Sequence, residues 1–380
     1  MQARWKTITG IAAVAAVIFW LHTRPAPPPA TPSKLPQILT PKLGRPMQPA
    51  PVSTPPPTPS AGAATPQPKL VVCGISDLPP SVGDTVDVAS YLFDTTRGTY
   101  DRWKAALIGG ADARARVAGL ALQRVDDIFA RSLAADTSLE QLAELATTAR
   151  DPDIYDVAVG LCQTGLRNEA PVAECRRLSL LEWAKIDPDN ATPWLANAAA
   201  ARGKGDSWAE SVAFARAAQA HKVDDDGEAL LAAAMAVFPT DATLPERFAA
   251  EVHLWGYQAA RGRPDLAEIS RYCSVTALQQ SQIYDQCDAV AELLVDHGGT
   301  LLNFSRGRSI GRLLGWPAAK LDQLVRERDT LLQLLASNGG AEDWSCGHMA
   351  WTDDFMKRRG EIGELAALRE LRDKRAQAGQ

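Results

Sequence analysis

Apolar residues recur at helical spacing, almost without a break, from about residue 84 to the end of the chain. Ala, Leu, Arg and Glu dominate this region, and β-branched runs are rare. The interruptions are short and carry Gly, Asp, Asn or Pro. Such a pattern leaves few solutions other than helices packed on helices. In 112-DARARVAGLALQRVDDIFARSLA-134, Val117, Leu120, Leu122, Val125, Ile128, Phe129 and Leu133 share one broad face. The next helix, 139-LEQLAELATTAR-150, starts with Thr137 or Ser138 near its cap and ends before Asp151-Pro152. Further helices are expected over 154–164, 172–186, 192–202, 207–220, 226–237, 244–260, 265–274, 280–296, 301–314, 318–337, 352–359 and 360–374. The expected fold is all-α: helical hairpins stacked into a solenoid or a curved bundle, over residues 70–380.

The first 69 residues do not share this pattern. Thr9 to Leu21 are apolar apart from Thr9 and Gly10, and Arg4 and Lys6 precede them. That is a secretory signal or a signal anchor. The run is short for a span of about 17–25 residues, but counting from Trp5 to His22 reaches that length. Prolines past His22 oppose cleavage, and Cys73 in LVVC comes too late for a lipoprotein signal. The reading is an uncleaved transmembrane anchor over 8–22, with residues 1–7 in the cytoplasm. The folded domain then lies in the periplasm, held by a single pass through the inner membrane. Residues 23–69 hold 16 of the 26 prolines. That composition buries no core and predicts a disordered, semi-rigid spacer at ~3.1 Å per residue.

Charge divides along the same line. Residues 1–76 contain seven Lys or Arg and no acid, which leaves 33 basic against 45 acidic residues beyond them, a net of −12. A basic tether suits anionic lipid or wall polymer. An acidic domain opposes nucleic acid binding, which rests on phosphate neutralisation.

All six cysteines lie beyond the proline tract. In an oxidising compartment an even number implies disulfides. Cys162 and Cys175, like Cys273 and Cys287, are spaced for two neighbouring helices joined by a short loop. Cys73 and Cys346 remain, and would tie the start of the domain to its end. Each short loop would stabilise by about 3 kcal/mol. Zinc is the alternative use of cysteine, but the chain has no C-x2-C and no H-x3-H.

The stretch 184-AKIDPDNATPWLANAAAARGKGD-206 and the helix after it resemble a tetratricopeptide repeat. Trp194 stands at the first aromatic position, six residues after Pro188, and Ala198 and Ala201 stand at packing positions. Gly205-Asp206 makes the turn, and Phe214 and Ala217 match the second helix. Asn197 and Glu210 depart from the pattern. The likeness covers 188–220 well and reaches weakly back to about 152, through Tyr155, Cys162, Cys175 and Leu181. The whole chain is also similar to membrane-anchored, alanine-rich proteobacterial proteins, a likeness that supplies an address and no activity. What the repeat implies is a groove for a peptide or helix of a partner, near Trp194, Asn197, Arg202 and Phe214. Trp194 and Phe214 serve a core equally well.

Residues suited to chemistry are scattered. No two of His221, His253, His297 and His348 sit one helical turn apart. In 344-WSCGHMAW-351 a Cys lies beside a His, but the even cysteine count claims Cys346 for a disulfide at a helix end. Asp353-Asp354 and the run 224–226 fit helix starts, where acids cap and meet the dipole. There is no G-x-S-x-G, H-E-x-x-H or P-loop. The segment 309-SIGRLLGWPAAKLDQLVRERDTLL-332 resembles a helix-turn-helix in outline, against which the anchor, the cysteines and the acidic charge all stand. Trp103, Trp183, Trp194, Trp208, Trp255 and Trp316 either line a groove or fill a core. The expected function is a non-enzymatic, membrane-anchored scaffold that binds a protein partner, with no metal or cofactor. The alternatives are an envelope enzyme acting on a wall polymer and a structural subunit of an envelope complex.

Overall fold

The computed structural model describes residues 72–75, 78, 85–130, 137–163, 173–224, 227–260, 264–338 and 344–377. The segments read as anchor (8–22) and spacer (23–69) lie outside these residues. No described helix is long and apolar enough to cross a membrane.

Among the described residues the chain is all-helical, with three isolated bridges and no strand. In chain order the helices are α1 (Thr85–Gly109), α2 (Ala113–Ala130), α3 (Thr137–Ala149), α4 (Pro152–Gln163), α5 (Leu180–Ile186), α6 (Ala191–Gly203), α7 (Ser207–Ala217) and α8 (Glu228–Ala236). They continue as α9 (Leu244–Ala260), α10 (Pro264–Tyr272), α11 (Ser281–Asp296), α12 (Leu301–Leu313), α13 (Ala318–Asn338), α14 (Cys346–Ile362) and α15 (Glu364–Gln377).

The punctuation residues act as caps. Asp151 Oδ1 accepts from the amides of Asp153 and Ile154, with Pro152 at the first helical position of α4, where its missing N–H costs nothing. Asn190, Asp206 and Thr300 cap α6, α7 and α12 through their side-chain oxygens. Thr243 and Glu246 close α9: the Glu246 carboxylate accepts the Thr243 amide at 2.7 Å.

Two expected boundaries move. The helix expected over 172–186 is a 3-10 turn, Glu174–Arg177, followed by the short α5. Ser179 is extended there and its hydroxyl accepts the Glu182 amide, so a new helix starts at the cap. The helix expected from 352 begins six residues earlier, because Ser345 caps α14 through the His348 amide. Asp353 therefore stands in the body of a helix and not at its start.

Sequence neighbours pair as hairpins: α1 with α2, α3 with α4, α6 with α7, α11 with α12. Distant helices pack as well. α2 lies on α8, α9 on α1, and α14 on both α8 and α9. In a solenoid each repeat touches its neighbours alone; here helices far apart in sequence are in contact as well. One core gathers α1–α4 with α8 and α9, around Trp103, Leu107, Leu142 and Ile154. A second gathers α6, α7 and α10–α13 with α15, around Phe214, Phe304 and Leu294. A third, small one joins Val72 and Cys73 to Phe248, Trp344 and Met349. α14 enters all three, through Met356, Phe355 and Met349 respectively.

Close helix crossings rest on glycine. A Cβ at Gly307 of α12 would stand 2.6 Å from the Ala291 carbonyl oxygen of α11 and 2.9 Å from the Leu294 Cβ. Gly307→Ala is expected to destabilise by about 1–3 kcal/mol, despite alanine's better helix propensity. Urea unfolding would show it as a lowered midpoint at unchanged slope; an unchanged or raised midpoint would mean that α11 and α12 separate at little cost.

The six cysteines stand at disulfide distance in three pairs: Cys162–Cys175 and Cys273–Cys287, the two that the spacing suggests, and Cys73–Cys346, the two left over. Their Cα separations are 5.6, 5.7 and 4.6 Å, within the range a disulfide spans. The first bond joins α4 to the 3-10 turn in place of a second helix.

Candidate functional site

The four residues expected to line a groove lie on the α6–α7 hairpin, and each has a partner inside the molecule. Trp194 donates its indole N–H to the Pro188 carbonyl at 3.0 Å. Asn197 donates to the carbonyls of Leu180 and Pro193, both at 2.8 Å, and so ties α6 to α5. Phe214 is wholly buried and stacks on Tyr272, ring centroids 3.8 Å apart. Arg202, at the opposite end of the hairpin from Trp194, donates to Glu210 at 2.7 Å and to Glu268 at 3.1 Å. Glu268 of α10 is buried, so Arg202 supplies the charge that its burial demands. Burial, together with the adjacent Glu268, holds Glu210 above the usual carboxylate range against the pull of Arg202. The result is a rigid three-helix corner of α6, α7 and α10.

On the outer face of that corner sits the most exposed tryptophan among the described residues. Trp208 is 75% exposed, and Val212, one turn along α7, is 42% exposed. Trp103, Trp183 and Trp316 are buried, and Trp194 and Trp255 are half-buried against the cores. Of the six tryptophans considered from the sequence, Trp208 is thus the one available to a partner. Its exposure follows from register. Ala213, Phe214 and Ala217 turn α7 inward, and Trp208 and Val212 are left on the opposite side. The signal is present in the periodicity of α7, since Trp208 stands nine positions, two and a half turns, before the core position Ala217 and so falls on the far face.

Carboxylates do converge elsewhere, between α9 and α14. Glu251 is completely buried, and Asp353 lies beside it at 8% exposure. Burial first, then the neighbouring Asp353, pushes Glu251 up to about 9, against the smaller pull of Lys357 and Arg247. Asp353 accepts from Lys357 at 2.6 Å through Oδ2, which leaves its Oδ1 and both Glu251 oxygens without donors. A proton on Glu251, donated to Asp353, pairs two of these three acceptors. On the other side of α9, His253 stacks on Tyr100 at 4.3 Å, and burial lowers it to about 4. Both groups are therefore neutral at pH 7. The cavity between α2, α8 and α9, about 20 Å³, is lined by apolar residues such as Ala121, Leu231 and Leu254, and holds a water at most. Among the described residues no group of His, Cys, Asp and Glu is placed to hold a metal.

Compared with known proteins, the chain matches no family model, no curated protein and no solved structure.

Proposed function

We propose that this chain is a membrane-anchored scaffold of the cell envelope, whose helical domain captures a protein partner in the periplasm through α7. The observation that carries the reading is Trp208 with Val212: an apolar pair left in water on a hairpin braced by Arg202, Glu210 and Glu268. Such a rigid aromatic anchor costs little entropy to immobilise, and Trp is the residue type most enriched among binding hot spots. The partner is expected to be a helix or extended segment with an apolar pocket for the indole and basic flanks, to suit a domain of net −12. Pairing of all six cysteines supports an oxidising compartment. The reading includes no catalysis.

The test is photo-cross-linking from position 208 in living cells, using the full-length chain. One protein recovered in stoichiometric amount is expected. Trp208→Ala should weaken its capture by about thirtyfold, a hot-spot loss of ~2 kcal/mol, while the unfolding temperature stays unchanged. Identical recovery from the wild type, from Trp208→Ala and from a chain carrying only residues 1–69 would sink the proposal.

A further inference from the structure

The face of α7 makes no use of α12 and α13, the two helices of the segment that resembles a helix-turn-helix. Arg308 and Arg312 lie one turn apart on α12 and so share a face, an arrangement that repels. Arg328 joins them from α13, which packs against α12. Burial, and then the charges of Arg328 and Arg312, hold Arg308 below the usual guanidinium range.

One carboxylate offsets the three cations, Asp329, and Arg328 already engages it through Nε at 2.9 Å and Nη2 at 2.5 Å. Among the described residues, neither Arg308 nor Arg312 makes a side-chain ion pair or hydrogen bond. The Nε of Arg308 is closed off from solvent with no acceptor. Elsewhere in the domain Arg114, Arg202, Arg358, Arg359, Arg369 and Arg372 find carboxylates. A free arginine on a helix ordinarily extends its head group into water. Arg308 instead keeps a buried, unsatisfied charged donor beside two like charges, which costs stability twice over.

We infer that Arg308, Arg312 and Arg328 form a binding site for a phosphate-class dianion. The three cations and Asp329 leave a local charge of +2, which a dianion cancels and a single carboxylate does not. The guanidinium fork matches two oxygens of a phosphate at once, and the remaining oxygens suit the neighbouring arginines. The buried Nε of Arg308 then gains the acceptor that it lacks. The ligand is free phosphate or a soluble phosphomonoester; a phosphodiester carries one negative charge and leaves the site half compensated. The site is independent of the partner proposed for α7.

The full-length protein in detergent would be unfolded by heat at fixed ionic strength, with chloride replaced in turn by inorganic phosphate, glycerol 3-phosphate and glycerophosphoglycerol. Inorganic phosphate and the monoester are expected to raise the unfolding temperature above that in chloride, and to lose the effect as the pH falls and the second proton binds. Arg308→Gln and Arg312→Gln are each expected to weaken phosphate binding about tenfold or more, the loss of a charge-assisted hydrogen bond. Without phosphate, Arg312→Gln should unfold no lower than the wild type, because it relieves repulsion at an exposed position, so it carries the test even where Arg308→Gln folds poorly. Comparable binding of the diester would show that the site does not require a dianion, and would overturn the inference. No rise with any phosphate beyond that in chloride, or a rise equal in wild type and variants, would overturn the inference. So would binding of duplex DNA that both variants retain.

Discussion

Glu251→Gln is expected to stabilise the protein by about 3 kcal/mol at pH 7 and to abolish a fall in stability that the wild type shows between pH 6.5 and 9. The sign follows from proton counting. In the folded state Glu251 keeps its proton up to about pH 9. In the unfolded chain an ordinary glutamate loses it near ~4.3. Between those values the unfolded state binds fewer protons, so stability decreases as pH rises, by about 1.4 kcal/mol per pH unit. Gln has no proton to lose, and its side-chain amide still donates to Asp353. Two other groups complicate the acidic side. His253, lowered to about 4, makes stability rise with pH up to ~6.5. Asp153, raised to about 6 mainly by burial and by the charge of Asp224, makes it fall over a range that ends there. Above 6.5 both are silent and Glu251 acts alone. Urea unfolding at pH 6.5, 7.5 and 8.5 would therefore show a declining wild type beside a level variant. Parallel curves for the two would mean that Glu251 is ionised in the folded state, with a counter-ion drawn to it.

That pair also shows the limit of what the chain reveals. The helices were legible because their period and their caps are local: Asn190, Asp206 and Thr300 stand where the pattern changes, and each accepts the amide that a helix start leaves free. The disulfides were legible because a spacing of 13 or 14 residues suits neighbouring segments, and two cysteines remained. Glu251 and Asp353 were not, since nothing in either helix says that α9 will lie against α14. Asp353 was read as a cap because the start of α14 was placed too late. Cys346, Gly347 and His348 look like a break, yet Ser345 caps a helix that begins with them. The proposed binding face is half legible. The hairpin reads from the sequence, with Phe214 among its groove candidates as well as fit for a core, but the indole that faces water is Trp208. Five tryptophans that stand within helices, Trp103, Trp183, Trp194, Trp208 and Trp255, differ in exposure through which partner helix covers them, and that is a property of tertiary packing.

The same dependence on α14 makes the Cys73–Cys346 bond the covalent restraint with the largest expected effect. Replacing both residues with Ser is expected to cost about 5 kcal/mol, whereas the same change at Cys162 and Cys175 costs about 3 kcal/mol. The difference comes from the unfolded chain. One bond closes a loop of 273 residues and the other a loop of 13, and closure entropy grows with the logarithm of loop length. In the folded state the long-range bond joins the first described residues to the start of α14, where the Cys73 amide also bonds the Trp344 carbonyl at 2.8 Å. From there α14 runs through all three cores and ends in the Arg359–Glu228 pair at 2.8 Å against α8. Losing the bond therefore frees the end of the helix on which the two large cores meet, and α14 is expected to lose amide protection from hydrogen exchange first, from its Cys346 end. Denaturant unfolding of the two double-Ser variants, side by side under oxidising conditions, decides the matter. A larger loss from the 73–346 variant is the expected order. Equal losses would mean that the unfolded chain keeps these ends together without the bond, through residual structure that the loop-entropy argument leaves out.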